Sequence, residues 1–357
     1  SATAVPAAPA VEGNVPPPAV PDADGSAAAS GEWGMLVKKL EVLHRVCVNV
    51  DVDAIPEVSA SILRPLAQLA LEQSFRAHAV QLETVIFALS RCGDNAYNLK
   101  HAIDVSVHGA FAVVLKEHMS NEALVDLCIT GLRPMTIPLH FLPQLKRIGL
   151  VPLVTEAAKT HVNAILQTPP HRRLVDDEED EYPRIAHYSV QILANIACDK
   201  EVEKASDVMG VSVDTSSEQL EDEELSGGVL RVVLADGIEA LRCVMLAHIT
   251  NPRILEDAMC ALSNMAFTTD AVRLAIGRQC ALTVVESLKV FDSDPYLFSM
   301  ALRAVGNLTR CDENIVSVMA FGVGVGIESG MRKCADFPDA LQVAADVVGN
   351  LASIDEN

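Results

Sequence analysis

Ala261-Leu-Ser-Asn-Met-Ala266, Ala304-Val-Gly-Asn-Leu-Thr309 and Val347-Val-Gly-Asn-Leu-Ala352 share one apolar frame, and their asparagines stand 43 residues apart. A fixed period of this size is the mark of a solenoid, in which each repeat buries its apolar face against its neighbours. Followed toward the N-terminus, the asparagine position recurs at Asn195, Gly131, Arg91 and Asn49, with successive spacings of 42, 40, 64, 69, 43 and 43. Both long intervals contain a polar insertion, at about 168–183 and 200–228. Removing roughly 22–26 residues from each restores the period.

Each period resolves into three helices. In the cleanest unit, Asp270 to Gly277 reads as a short first helix and Ala281 to Phe291 as a second. Pro295 to Leu308 reads as the third, with Leu297, Ala301, Ala304 and Val305 on its inner face. Asp294-Pro295 supplies an N-cap followed by proline at the first helical position, and Asn251-Pro252 does the same one unit earlier. Gly109, Gly149, Gly237 and Gly324 fall where the first helix gives way to the second, and a residue without a Cβ permits a sharp turn there.

Composition agrees with thin helical layers. The chain of 357 residues is 50% hydrophobic but only 4% aromatic. Its formal net charge of -21 argues against general nucleic-acid or anionic-lipid binding, both of which need clustered Lys and Arg. Much of that charge is local. Asp176, Asp177, Glu178, Glu179, Asp180 and Glu181 form an unbroken acidic run, and Glu221 to Glu224 form a second. The first run either docks a basic patch of a partner or is a solvated loop.

Nine cysteines occur without a CxxC pair. They read as small core residues in a reducing compartment, with cytoplasm, cytoskeleton and mitochondrial matrix all compatible. Residues 1–33 are rich in Ala, Pro and Gly around Pro16-Pro-Pro18 and read as an extended arm held by a neighbouring subunit. Residues 34–357 form the solenoid. The longest suggestive apolar stretch, Asn314 to Ile327, holds three glycines and is too short to span a bilayer.

These frames resemble the armadillo repeat, over about residues 35–353. The three C-terminal frames match well, while Arg91 and Gly131 depart at the asparagine position. The resemblance implies an all-α fold, a right-handed α-α superhelix of about six three-helix repeats. It also implies a concave groove lined by third helices, in which ladder asparagines bond the main chain of an extended peptide. Carried over by position, the groove residues are Asn49, Arg91, Asn195, Asn264, Arg303, Asn307 and Asn350. An Asn amide offers donors and an acceptor, so it can satisfy a peptide of any sequence, or else the backbone of an adjacent repeat. The importin-α type places Trp four residues before each ladder Asn. Here those positions are Arg45, Phe87, Leu127, Gln191, Cys260, Arg303 and Asp346, so basic nuclear-localisation peptides are not expected.

Ten histidines lack metal-ligand spacing, and no nucleophile elbow, phosphate loop or zinc-protease motif occurs. His187 lies just ahead of the Asn195 frame, either packed or pointing into the groove. The sequence therefore predicts a non-catalytic scaffold or accessory subunit, without metal or cofactor. Its partners are other proteins in a multi-subunit complex, with no direct nucleic-acid contact and no small-molecule ligand. The alternative is a trafficking adaptor that captures an extended peptide. The last repeat, with Val347, Val348 and Leu351, is expected to need a cover.

Overall fold

The computed structural model describes residues 56–91, 96–167, 183–199, 202–204 and 224–353. The N-terminal arm, Asn49, Cys92 and the acidic runs at 176–181 and 221–223 lie outside them.

Six helical layers follow one another. The first described layer holds α1 (Pro56–Leu71), the short α2 (Gln73–Arg76) and α3 (Ala79–Arg91). The second holds α4 (Ala96–Asp104), α5 (Val107–Glu117) and α6 (Glu122–Thr136). The third begins with a 3-10 turn and α7 (Leu142–Arg147), then α8 (Leu150–Gln167) and α9 (Arg184–Ala197). The fourth is α10 (Gly227–Leu234), α11 (Gly237–Ala247) and α12 (Pro252–Ala266). The fifth is α13 (Asp270–Val290) and α14 (Pro295–Leu308), and the sixth is α15 (Asp312–Ala320), α16 (Val323–Lys333) and α17 (Pro338–Ala352).

Each third helix stacks on the third helices of the adjacent layers, in the row α3, α6, α9, α12, α14, α17. Second helices form a parallel row, α1, α5, α8, α11, α13, α16. One apolar cluster runs unbroken between the rows, from Leu63 to Val347. Low aromatic content is what allows this thinness. Leu, Ala and Val make up most of the buried side chains, and rings such as Phe111 and Phe298 are fully enclosed.

The caps behave as the sequence predicts. Asn251 accepts from the backbone N–H of Ile254 at 3.3 Å, ahead of Pro252. Asp294 accepts from Tyr296 and Leu297 N–H groups, both at 3.0 Å. These bonds satisfy donors that the first turn leaves without an intrahelical acceptor.

Three expectations are corrected. First, the fifth layer has no separate first and second helices: Asp270 to Val290 is one helix of 21 residues. Second, the sharp turn between first and second helices is not made by the expected glycines, except at Gly149 (φ 70°). Elsewhere the left-handed residue is Ser106 (φ 65°), Asp236 (φ 64°) or Gly322 (φ 80°). Gly109, Gly237 and Gly324 fall inside the helix that follows each turn. The position 43 residues after Asp236 is Gln279, a good helix former, and there the helix runs on without a turn. Third, Gly131 does not occupy the asparagine position. A Cβ on it would sit 2.6 Å from the Phe111 ring and 3.0 Å from Ser90 Cα, so it faces the core. The residue 13 positions after the N-cap is Asn264 in α12, Asn307 in α14, Asn350 in α17 and Pro134 in α6. With Pro134 in place of Gly131, the interval from Arg91 becomes 43.

The second insertion is pinned at its base. Strands β1 (Val202–Lys204) and β2 (Glu224–Ser226) pair antiparallel, with Val202 opposite Ser226 and Lys204 opposite Glu224. Lys146 from α7 pairs with Asp199 at 2.8 Å in a nearly buried contact, which ties the start of the third layer to its end.

The sixth layer departs from the preceding ones on one side. Val347 is buried and Leu351 packs against the core, whereas Val348 is exposed. Glu328 and Ala345, both exposed, stand 43 residues after the buried Val285 and Leu302. A charged and a small side chain thus replace larger apolar ones on the outward side. No single helix among the described residues is long and apolar enough to cross a membrane. The stretch Asn314 to Ile327 is divided between α15 and α16, whose axes bend by 73°.

Candidate functional site

The third helices present one long face, and the asparagines stand along its centre. Their amide nitrogens reach back to the preceding layer. Asn307 donates to the Ser263 carbonyl at 3.2 Å, and Asn350 donates to the Gly306 carbonyl at 3.5 Å. Ser263 and Gly306 each precede the asparagine of their own layer, so the same bond repeats. Asn195 donates to Thr136 Oγ1 at 3.0 Å, and that hydroxyl donates to the Arg133 carbonyl at 2.7 Å. Asn264 donates to Cys198 Sγ at 3.3 Å. Each of these asparagines is half-buried and cross-links adjacent layers.

Of the expected groove residues, Asn195, Asn264, Asn307 and Asn350 therefore stand on one row, and Asn49 lies outside the described residues. Arg91 is exposed at the end of α3, and Arg303 is exposed one turn before Asn307.

Sequence reasoning missed a polar network across layers two to four. His187 Nε2 lies 2.7 Å from Asp257 Oδ2, and Gln191 Nε2 donates to the same oxygen at 2.8 Å. Arg133 donates to Gln191 Oε1 at 3.2 Å, and its guanidinium carbon stands 4.6 Å from the centre of the Tyr188 ring. His187 is therefore buried and engaged with a carboxylate of the next layer. The available signal was register: Tyr188 and Asp257 each precede a ladder asparagine by seven residues, which places them on the asparagine face.

Farther along, Tyr296 donates its hydroxyl to Glu256 at 2.8 Å, a bond that raises the Tyr296 pKa above its usual value. Phe267 is 64% exposed, and the Arg310 guanidinium lies 5.2 Å from its ring centre. Among the described residues no group of His, Cys, Asp and Glu is arranged to hold a metal ion. The Cys260 thiol beside Asn264 is pushed up by burial and by neighbouring Cys198 and Asp257, which keeps it protonated and unreactive.

No family model and no curated protein matches the sequence. Solved structures do match. An engineered protein, Northeast Structural Genomics Consortium target OR366, aligns with a TM-score of 0.55 at 17% identity, covering 82% of this chain and 98% of that one. A second engineered protein, target OR329, aligns with a TM-score of 0.52 at 15% identity, covering 82% and 96%. The chain is an all-α solenoid. At this identity the likeness speaks for fold alone.

Proposed function

We propose that this chain is a non-catalytic protein-interaction scaffold or accessory subunit, built from armadillo-type layers and working in a reducing compartment. The 43-residue period, the left-handed turn between first and second helices and the asparagine row support the armadillo assignment. The free state of all seven described cysteines supports the compartment.

One observation carries the scaffold reading. Side-chain bonds between successive third helices support a fixed spacing of exposed positions from α6 to α17. A surface held this way meets a partner with little ordering cost, which is what a scaffold needs. The full-length chain, purified from its own cells and cross-linked, should yield one or more stoichiometric partners attached to its helical faces. A chain that purifies alone, with only internal cross-links, would refute the reading.

A second reading, an adaptor for an extended peptide on the third-helix face, is supported by the exposed side chains of Arg253, Phe267 and Arg303 on layers four and five. The two differ in exchange. A scaffold keeps its partner through dilution, whereas an adaptor releases its peptide to competitor.

A further inference from the structure

One junction in the asparagine row is fastened differently from the rest. Asn307 and Asn350 donate to main-chain carbonyls of the preceding layer. Asn264 Nδ2 instead stands between two sulfurs, 3.3 Å from Cys198 Sγ and 3.7 Å from Cys260 Sγ. Both distances start from one nitrogen, so the sulfurs are no farther apart than the two combined. Cys198 is the C-cap of α9 in layer three, and Cys260 lies in α12 of layer four, one turn before Asn264. The thiols therefore face each other across a layer boundary. Thiol sulfur is a weak acceptor, so the asparagine fastening is weakest here.

The pairing does not come from the repeating frame. At the C-cap of the third helix, other layers carry Ile137, Phe267, Thr309 and Ser353. Four residues before the asparagine they carry Gln191, Arg303 and Asp346. Two thiols coincide only at the junction of layers three and four among the described residues. Access differs as well. Cys198 is exposed and Cys260 half-buried, whereas Cys128, Cys243, Cys280, Cys311 and Cys334 are buried.

We propose that Cys198 and Cys260 are a redox site, at which a hydroperoxide forms a reversible disulfide that locks layer three to layer four. The inference goes beyond the scaffold reading and does not depend on it. Cys198, as thiolate, attacks the outer oxygen of the hydroperoxide. The O–O bond breaks, the sulfur becomes a sulfenic acid, and the alkoxide or hydroxide released takes a proton from water. Cys260 sulfur then attacks Cys198 sulfur. The S–O bond breaks, and hydroxide leaves with the Cys260 proton as water. The two thiols have lost two electrons, and the O–O bond has gained them. Cys260, held protonated, is a poor target for the peroxide itself; in the second step its closeness to Cys198 offsets the small thiolate fraction. A rotamer change at the two cysteines brings the sulfurs to the bonding distance of about 2.05 Å. Two molecules of a small thiol such as glutathione reverse the reaction and become its disulfide.

The test uses the full-length reduced protein, a few-fold excess of hydrogen peroxide, thiol blocking with N-ethylmaleimide, and mass spectrometry of tryptic peptides. Cleavage after Arg184, Lys200, Arg253 and Arg273 isolates each cysteine on its own peptide, 185–200 and 254–273. The two peptides should appear joined and two hydrogens lighter, and glutathione should separate them. C260S should leave Cys198 as a sulfenic acid, raising its labelling by dimedone about tenfold over the wild type. C198S should leave Cys260 resistant to peroxide. Both are near-isosteric changes, checked for unaltered helicity. Hydrogen exchange in α9 and α12 should slow on oxidation. Dimedone labelling of wild-type Cys198 as strong as in C260S overturns the proposal, as does a Cys198 that peroxide leaves unchanged. Joining of Cys198 to another cysteine or to a second molecule overturns it, and so does a Cys198–Cys260 link that forms as readily in urea. A disulfide with unchanged exchange in α9 and α12 overturns the locking of the layers.

Discussion

Gly330 and Gly349 look alike in the sequence, and the structure separates them. Both lie inside helices, where replacement by Ala favours the helix by about 1 kcal/mol. A Cβ on Gly349 meets nothing within 4 Å, so G349A should stabilise the protein by up to about 1 kcal/mol. A Cβ on Gly330 would lie 2.0 Å from the Phe298 ring, which is fully buried and has nowhere to move. G330A should therefore cost about 1–3 kcal/mol, reversing the sign set by propensity. Urea denaturation of both variants measures the contrast, and equal effects would show that the Phe298 contact is not as tight as described. His248 makes a second residue-scale case. Burial, with a smaller contribution from His161, lowers its pKa to about 4, and its Nε2 is buried without a hydrogen-bond partner. The unfolded chain takes up this proton near pH 6.5 and the folded chain only near 4. Stability from this group is thus complete above about pH 6.5 and is lost as pH falls toward 4. Between pH 7 and pH 5 the loss is about 2 kcal/mol. The equivalent C-cap of α13 is Phe291, so H248F should fold and should remove that part of the acid sensitivity, as read by urea titrations at the two pH values.

At the scale of the helix, the asparagine row is first a fastening between layers. Asn307 Nδ2 meets the Ser263 carbonyl at 3.2 Å, whereas Asn350 is 0.3 Å farther from its own acceptor at 3.5 Å. N307A should cost about 1 kcal/mol, and N350A less. Hydrogen exchange in α12 and α14 should rise together in N307A. An unchanged stability would mean that water replaces the bond without loss. The row was legible because Asn264, Asn307 and Asn350 recur inside near-identical frames. The second layer was misread because Gly131 sits in a similar apolar frame three residues too early, and only packing against Phe111 shows its direction. The fused helix of layer five was hidden for a related reason. Gly277 looked like a helix end, yet it accommodates the Asn314 side chain, which donates to the Arg273 and Leu308 carbonyls at 2.8 and 3.1 Å. A glycine serves either a turn or a close approach, and spacing alone does not distinguish them. The network of Arg133, His187, Gln191 and Asp257 was equally hidden, because its members lie in three layers separated by insertions.

For the whole molecule, the decisive fact is that layers touch mainly their nearest neighbours. The apolar cluster is continuous from Leu63 to Val347, and among the described residues its main links run α3 to α6 to α9 to α12 and onward. Stability in such a chain is a sum of layer terms and interface terms, so damage should remain local. Phe298 in α14 tests this, being fully buried and packed against Gly330 of the next layer. F298A should cost about 3–5 kcal/mol where it acts. Hydrogen exchange followed by mass spectrometry should then show faster opening across α12 to α17, while α3 to α6 keep their native protection. Uniform acceleration from α3 to α17 would mean that the layers unfold as one unit. In that case the rigid row of exposed positions would derive from global cooperativity, and the asparagine fastenings would lose the role assigned to them. Local opening would instead mean that a partner seated on layers four and five can stabilise its own site without altering the N-terminal layers.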